Sequence, residues 1–237
     1  MTAAPLTFAG VSLVADHSGL LYCPEHALAV VADLHLEKGS AFAAAGTALL
    51  PPYDTRATLA VLAQRLRHYQ PRSVVCLGDS FHDGGAPGRL TAGDMARLRR
   101  LASTHDWTWI TGNHDPEIPP EVGGRVMPEL AVGPLVLRHQ ARTGPDNPLP
   151  AGEVSGHYHP KARVQLRGRR LSGRCFVSDG IRLILPSFGA YTGGLDVLEP
   201  ALAAVLRPQF RIFMLGRAGV FAFRRNQLIA PPPRAVA

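Results

Sequence analysis

The chain has 237 residues, 46% hydrophobic and 18% charged, with a formal net charge of +7 and a pI near 9.9; this suits one globular domain with a sizeable core, and the basic balance favours a polyanionic partner. No apolar run reaches the roughly 20 residues that span a bilayer, because Asp33 interrupts the best candidate at 27–36, and residues 1–10 lack the basic start of a signal peptide, so no membrane association and a cytoplasmic location are expected. Cys23, Cys76 and Cys175 are odd in number and widely spaced, which argues against a disulfide framework and against a thiolate zinc site.

In chain order, residues 11–14 and 20–22 flank the turn-rich Asp16-His17-Ser18-Gly19 and read as a β-hairpin, with His17 and His26 at the surface. Residues 27–32 (ALAVVA) form an apolar run of strand length that ends in Asp33-Leu34-His35. After Glu37-Lys38-Gly39, the Ala-rich 40–45 suits a short helix. Beyond Pro51-Pro52 comes a stronger helix, capped by Asp54 or Thr55, with Val61, Leu59, Leu62 and Leu66 on its apolar face and Arg65, Arg67 and His68 solvated. Pro71 ends it, and residues 73–77 (SVVCL) deliver Gly78-Asp79-Ser80-Phe81-His82-Asp83. Residues 84–88 read as loop, and 91–103 as a helix with Met95, Leu98 and Leu101 on one face. Residues 107–111 (WTWIT) then run into Gly112-Asn113-His114-Asp115. The alternation of strand and helix to this point implies parallel strands with right-handed crossovers.

Pro116, Pro119, Pro120 and Pro128 change the texture, and strand-like runs replace helices. Residues 135–138 lead into His139, 144–150 make a loop expected to be mobile, and Glu153-Val154-Ser155 leads into Gly156-His157-Tyr158-His159. Hairpin strands at 162–166, 174–178 and 181–185 include an Arg-rich turn at 167–170, solvated or set against phosphate. The Gly-rich 186–194 and a last hairpin, 210–215 with 220–223, complete a single domain over 1–226, and a Pro-rich tail, 227–237, reads as disordered.

Several of these junctions end in oxygen or nitrogen donors. Asp33 with His35, and His157 with His159, are spaced so that an extended segment puts each pair on one side, where they can share an ion. Each motif alone has a structural alternative: hydrogen bonding at a strand end, a surface histidine pair, or an Asn-His-Asp turn capping the next segment. Seven donors, Asp33, His35, Asp79, Asn113, His139, His157 and His159, exceed the need of one ion, and two ions bridged by one carboxylate would use them all. Neutral imidazole and carboxylate suit Mn, Fe, Zn or Ni.

This ordered set, D-x-H, G-D, G-N-H-D, a lone His and G-H-x-H, resembles the calcineurin-like metallophosphoesterases from about Val11 to Phe223. DLHLEKG from Asp33, GDSFHD from Gly78 and LPSFGAYTGG from Leu185 look like the bacterial ligase-associated DNA-damage-response metallophosphoesterases. The resemblance implies an α/β fold, an α-β-β-α sandwich of two mixed sheets flanked by helices. It assigns one divalent ion to Asp33, His35 and His159, a second to Asn113, His139 and His157, and the bridge to Asp79. Mn2+ leads as the metal, with Zn, Fe, Ni or Co as alternatives. His114 would act on the scissile phosphate as the catalytic residue without binding metal, oriented by Asp115. Gln140 departs from the pattern, since many members have Gly after the lone His. The implied activity is phosphodiester hydrolysis by a DNA endonuclease in the damage response, with single-stranded DNA as substrate and a DNA ligase and a helicase as functional associates. A phosphatase or phosphodiesterase of nucleotides or other small phosphoesters, and a non-catalytic scaffold, are the competing readings. Lys38 is either a phosphate contact or solvated, and His82 either lines a groove or has no site role.

Overall fold

The computed structural model describes residues 3–47, 50–143 and 152–231, and it begins with a strand that the sequence pattern did not announce. β1 (Ala3–Phe8) pairs antiparallel with β2 (Val11–Asp16) around Ala9-Gly10, both in the left-handed region. The expected hairpin follows as β2 against β3 (Leu21–Cys23), and β4 (Leu28–Val31) pairs antiparallel with β3. Then come α1 (Lys38–Ala44), α2 (Asp54–Tyr69), β5 (Ser73–Leu77), α3 (Ala86–Arg89), α4 (Ala92–Ser103), β6 (Asp106–Ile110) and β7 (Arg125–Met127). The strands from β4 to β7 are parallel in the order β4-β5-β6-β7, as the strand and helix alternation requires. The first sheet is therefore mixed, running from β1 to β7 without a break in order.

The remainder builds a second sheet. β8 (Glu129–Val132), β9 (Leu135–Arg138), β10 (Glu153–Ser155), β11 (Lys161–Leu166), β12 (Arg169–Ser178) and β13 (Arg182–Ile184) precede a short α5 (Pro200–Ala203) and the hairpin β14 (Arg211–Gly216) and β15 (Gly219–Arg224). Its order is β15-β14-β12-β13-β10-β9-β8, with β11 paired to β12 off this path. The central strands β9, β10 and β13 are parallel, so their carboxyl ends gather on one edge.

Three apolar clusters show how the layers stack. Leu6, Leu13, Val30, Val75 and Ile110 of the first sheet meet Leu137, Val154, Phe176 and Leu183 of the second, which makes the core between the sheets. On the outer face of the first sheet, Leu59, Leu62 and Leu66 of α2 and Leu98 of α4 cover Ala29, Val31, Cys76, Trp107 and Trp109. Each such leucine, fully buried, contributes about 1.5–3 kcal/mol relative to exposure. The outer face of the second sheet is covered by Ala162 and Val164 of β11 and by Val197, Leu202 and Leu206 around α5. Two mixed sheets flanked by helices are thus present, and among the described residues the second side carries one short α-helix, α5.

Four expectations are corrected, the first being Val61, which is 41% exposed rather than part of the apolar face of α2. Asp54 and Thr55 do not cap α2, whose first flanking residue Tyr53 makes no side-chain cap bond. They turn instead to the start of α1: Asp54 accepts from the Gly39 N–H at 3.1 Å, and the Thr55 hydroxyl accepts from the Glu37 N–H at 2.8 Å. Arg65 is not solvated, because its guanidinium lies 3.6 Å from the fully buried Asp16, which also accepts from the Tyr69 hydroxyl at 2.8 Å. Residues 84–88, read as loop, contribute to α3. Of the tail, Leu228 bridges to Val164 and the Ile229 N–H donates to Arg163 at 3.0 Å, while 232–237 and the 144–150 loop lie outside the described residues. Among the described residues no helix is long and apolar enough to cross a membrane.

Candidate metal centre

β4, β5 and β6 of one sheet and β9 and β10 of the other end in Asp33, Asp79, Asn113, His139 and His157 at one edge of the sandwich, the edge where open α/β sheets bind ligands. The paired donors arrive there by a different route from the extended backbone that the sequence suggests. Asp33, His35, Asp79, His157 and His159 all have left-handed backbones, with φ of 55°, 43°, 47°, 70° and 46°. Such residues each cost on the order of 1 kcal/mol or more and persist only where the surroundings over-determine them. The surroundings here are backbone hydrogen bonds that continue past the strand ends: Asp33 N to Gly78 O at 3.2 Å, His35 N to Asp79 O at 2.9 Å, and Leu36 N to Ser80 O at 2.9 Å. Between the donors, Leu34 and Tyr158 remain buried, so the flanking side chains still share one side.

Close approach also depends on glycine, most tightly at Gly112, where a Cβ would lie 2.3 Å from Asp79 Oδ1. A Cβ on Gly78, whose φ is +72°, would lie 2.5 Å from His139 Nδ1, and a Cβ on Gly156 would lie 2.6 Å from Asp33 Oδ2. Gln140 leaves His139 in place and hydrogen-bonds the Tyr158 side chain instead.

All seven donors come together, in two groups. Asp33, His35 and His159 form one, with His35 Nε2 3.3 Å from His159 Nε2 and His159 Nε2 3.3 Å from Asp33 Oδ1. Asp79, His139 and His157 form the other, with Asn113 Oδ1 2.9 Å from His139 Nε2 and from His157 Nδ1. Asp79 stands between them, its Oδ2 3.9 Å from His35 Nε2 and its Oδ1 3.5 Å from His139 Nε2. The His139 Nδ1–H donates to the Leu77 carbonyl at 2.8 Å, which leaves the Nε2 lone pair for the centre.

The donor chemistry fits divalent ions. His139 Nε2 and His157 Nδ1 converge to 3.1 Å, a repulsive arrangement for two lone pairs with no cation between them. Burial and then His159 push His35 down to about 2, and burial and then His139 lower His157, so both imidazoles are held neutral as ligands require. Oxygen and imidazole without thiolate match Mn, Fe or Zn.

His114 lies exposed beside the first group, with its N–H on Asp79 Oδ1 at 2.9 Å. Its Nδ1–H donates to the His82 carbonyl at 2.7 Å. Asp115 does not orient it, contrary to expectation: the buried carboxylate accepts from the N–H groups of Asp79, Ser80, Phe81 and Gly112 at 2.7–3.1 Å. Asp115 therefore shapes the loop that bears Asp79. Burial raises it to about 6, against the pull of those amides.

Two further residues gain places. His82 is not remote: its Nδ1 is 3.4 Å from His35 Nδ1, and its ring stacks on His114 at 5.3 Å. Glu37, which the sequence reading passed over, is buried with φ 65° and accepts from Thr55 Oγ1 at 2.8 Å and Ser40 Oγ at 2.6 Å, tying the His35 loop to α2. Nothing in sequence announces this, because Asp54 and Thr55 read there as caps of α2. Lys38 is half-buried, with its ammonium 5.8 Å from the Phe42 ring centre, and it disfavours the charged forms of His35 and His82.

Comparison with known proteins gives the same picture. The crystal structure of Pseudomonas putida nuclease MPE is similar over 93% of this chain and 100% of that one, at 26% identity and a TM-score of 0.69. The structure of Yfce, a phosphoesterase from E. coli, matches over 83% of this chain and 97% of that one, at 17% identity and a TM-score of 0.43. No curated protein matches. The family pattern of the calcineurin-like phosphoesterases spans residues 26–173, which include all seven donors and His114, and the chain belongs to that family of metal-dependent phosphoester hydrolases.

Proposed function

We propose that the protein is a binuclear metal-dependent phosphodiesterase that cleaves single-stranded DNA as an endonuclease. The observation that carries this reading is Asp79, which turns one carboxylate oxygen toward each of two donor groups. Asp33, His35 and His159 would hold one ion, Asn113, His139 and His157 the other, and Asp79 both. Bound there, the ions supply charge neutralisation for the phosphate and a nucleophile available near neutral pH.

The residues do the rest. His114 reaches substrate through Nε2, because its Nδ1–H is committed to the His82 carbonyl, and from Nε2 it protonates the leaving oxygen. The His82 ring stacked on it restricts its rotation. Asp115 holds the amides of Asp79, Ser80 and Phe81 so that the bridging carboxylate keeps its place.

DNA as substrate rests on the likeness to a nuclease over nearly the whole chain and on the net charge of +7. Mn2+ as the metal, a role in the DNA damage response and functional association with a DNA ligase and a helicase rest on the DLHLEKG, GDSFHD and LPSFGAYTGG stretches. A cytoplasmic location is in keeping with three buried, unpaired cysteines.

The test is hydrolysis of bis-p-nitrophenyl phosphate beside p-nitrophenyl phosphate by metal-stripped protein reloaded with Mn2+, followed by single-stranded DNA. Diester turnover and internal cuts in the DNA are expected. Turnover of the monoester alone would make the protein a phosphatase, and no turnover with two ions shown to be bound would leave a scaffold.

A further inference from the structure

β11 begins two residues after His159 and leads away from the centre as one arm of the β11–β12 ribbon. The register Lys161↔Arg174, Arg163↔Ser172 and Gln165↔Arg170 puts these six side chains on one face, since side chains alternate along a strand. Ala162 and Val164 occupy the opposite face and are buried in the outer core, so the cationic face is turned away from that core. Arg167 and Arg169 carry the charge round the exposed tip.

Two features set this ribbon apart from a solvated charge run. Among the described residues, only Arg163 of these six cations has an acidic partner, Asp196 at 3.3 Å. Arg174, opposite Lys161 at the inner end, turns its guanidinium in to donate to the Ser187 carbonyl at 2.6 Å, so the open charge lies outward at Arg167, Arg169 and Arg170. Exposed Leu166 and Leu171 add apolar surface at the tip.

We propose that this face is a track for the phosphate backbone of the single-stranded DNA that flanks the scissile bond, a claim that rests on the phosphodiesterase reading above. The six residues of β11 rise about 3.3 Å each, so the track is roughly 20 Å long, the length of a few nucleotides of extended single strand. A dinucleotide bound at the centre falls short of the tip; a longer strand does not.

The experiment uses Mn2+-loaded protein and reads DNA as an inhibitor of bis-p-nitrophenyl phosphate hydrolysis, so binding is measured whether or not the strand is cut. The variant is Arg167→Gln/Arg169→Gln/Arg170→Gln, and its Lys counterpart at the same positions keeps the charge. A strand of about 20 nucleotides is expected to inhibit the Gln variant roughly tenfold less well than wild type, with the salt slope of log Ki reduced by about 2 at 0.7 per lost contact. A dinucleotide should inhibit both equally, and the Lys variant should return to wild type. An unchanged Ki for the long strand in the Gln variant overturns the track. Absence of diester turnover in wild type strikes the phosphodiesterase reading instead, and anisotropy of a labelled strand then decides the track by the same comparison.

Discussion

The two halves of the centre hold their donors in unlike surroundings. Asp33, His35 and the shared Asp79 are 0%, 5% and 2% exposed, and their loops are stitched together by main-chain hydrogen bonds and by Glu37 on Thr55. On the other side Asn113 is exposed and His157 half-buried, and His157 is steadied mainly by its own N–H on the Asp33 carboxylate at 3.0–3.1 Å. The more buried half is preorganised by the fold, whereas Asn113 of the outer half is open to solvent, as is His114 beside the first group. The difference teaches that rigidity is concentrated at the bridge and openness at the reacting side.

The largest effect that could break this comparison is loss of the bridge. Asp79→Ala removes the one group facing both donor sets and leaves the His114 N–H without its acceptor. Metal analysis should find both ions gone or depleted, and diester turnover should fall by about 10³-fold or more, as expected when two-ion charge stabilisation is lost. Two tightly held ions in this variant would show that the halves are independent. Next comes His114→Ala, which should keep both ions and lose about 10²–10⁴ in kcat, the range of general acid catalysis. Wild-type turnover would remove His114 from the chemistry. Asp115→Asn is smaller still: it sets an amide NH2 among backbone donors and should cost about 1–3 kcal/mol in urea unfolding, with kcat falling far less than for His114→Ala. A stable Asp115→Asn protein with kcat as low as His114→Ala would restore the orienting role that the sequence suggested.

The strands and the donors were legible because both obey local rules. Apolar runs of strand length ending in Asp or Gly marked β4, β5 and β6, and the donors follow those ends directly. The supports were not legible, because they join residues far apart in sequence. Nothing near Asp115 marks it as the acceptor of amides some 35 residues earlier, and nothing near Thr55 points to Glu37. The left-handed φ at five donors escaped for another reason: Asp and His adopt it more often than most side chains but far less often than Gly, and it is imposed by the neighbouring loop. β1 was missed because AAPLTF contains a Pro, which sheets admit on an edge strand, and β1 is the edge of the first sheet.

The smallest expected effect is the sharpest probe of the difference between the halves. Asn113→Ala removes a neutral, exposed carbonyl ligand that is shared with His139 and His157, and its loss leaves the two imidazoles and Asp79 in place. His35→Ala removes a buried imidazole held neutral by its surroundings, from a group whose other members are Asp33 and His159. Chelator titration followed by metal analysis should show one ion weakened in each variant, by roughly tenfold for Asn113→Ala, in line with the loss of one weak contact, and by more for His35→Ala. The outer ion should also leave wild type first, because Asn113 is exposed and His157 half-buried, whereas Asp33 and His35 of the other group are buried and His159 is partly open. If the two variants release their ions at the same chelator concentration, burial does not set metal affinity here, and the unequal exposure of the halves serves substrate access alone.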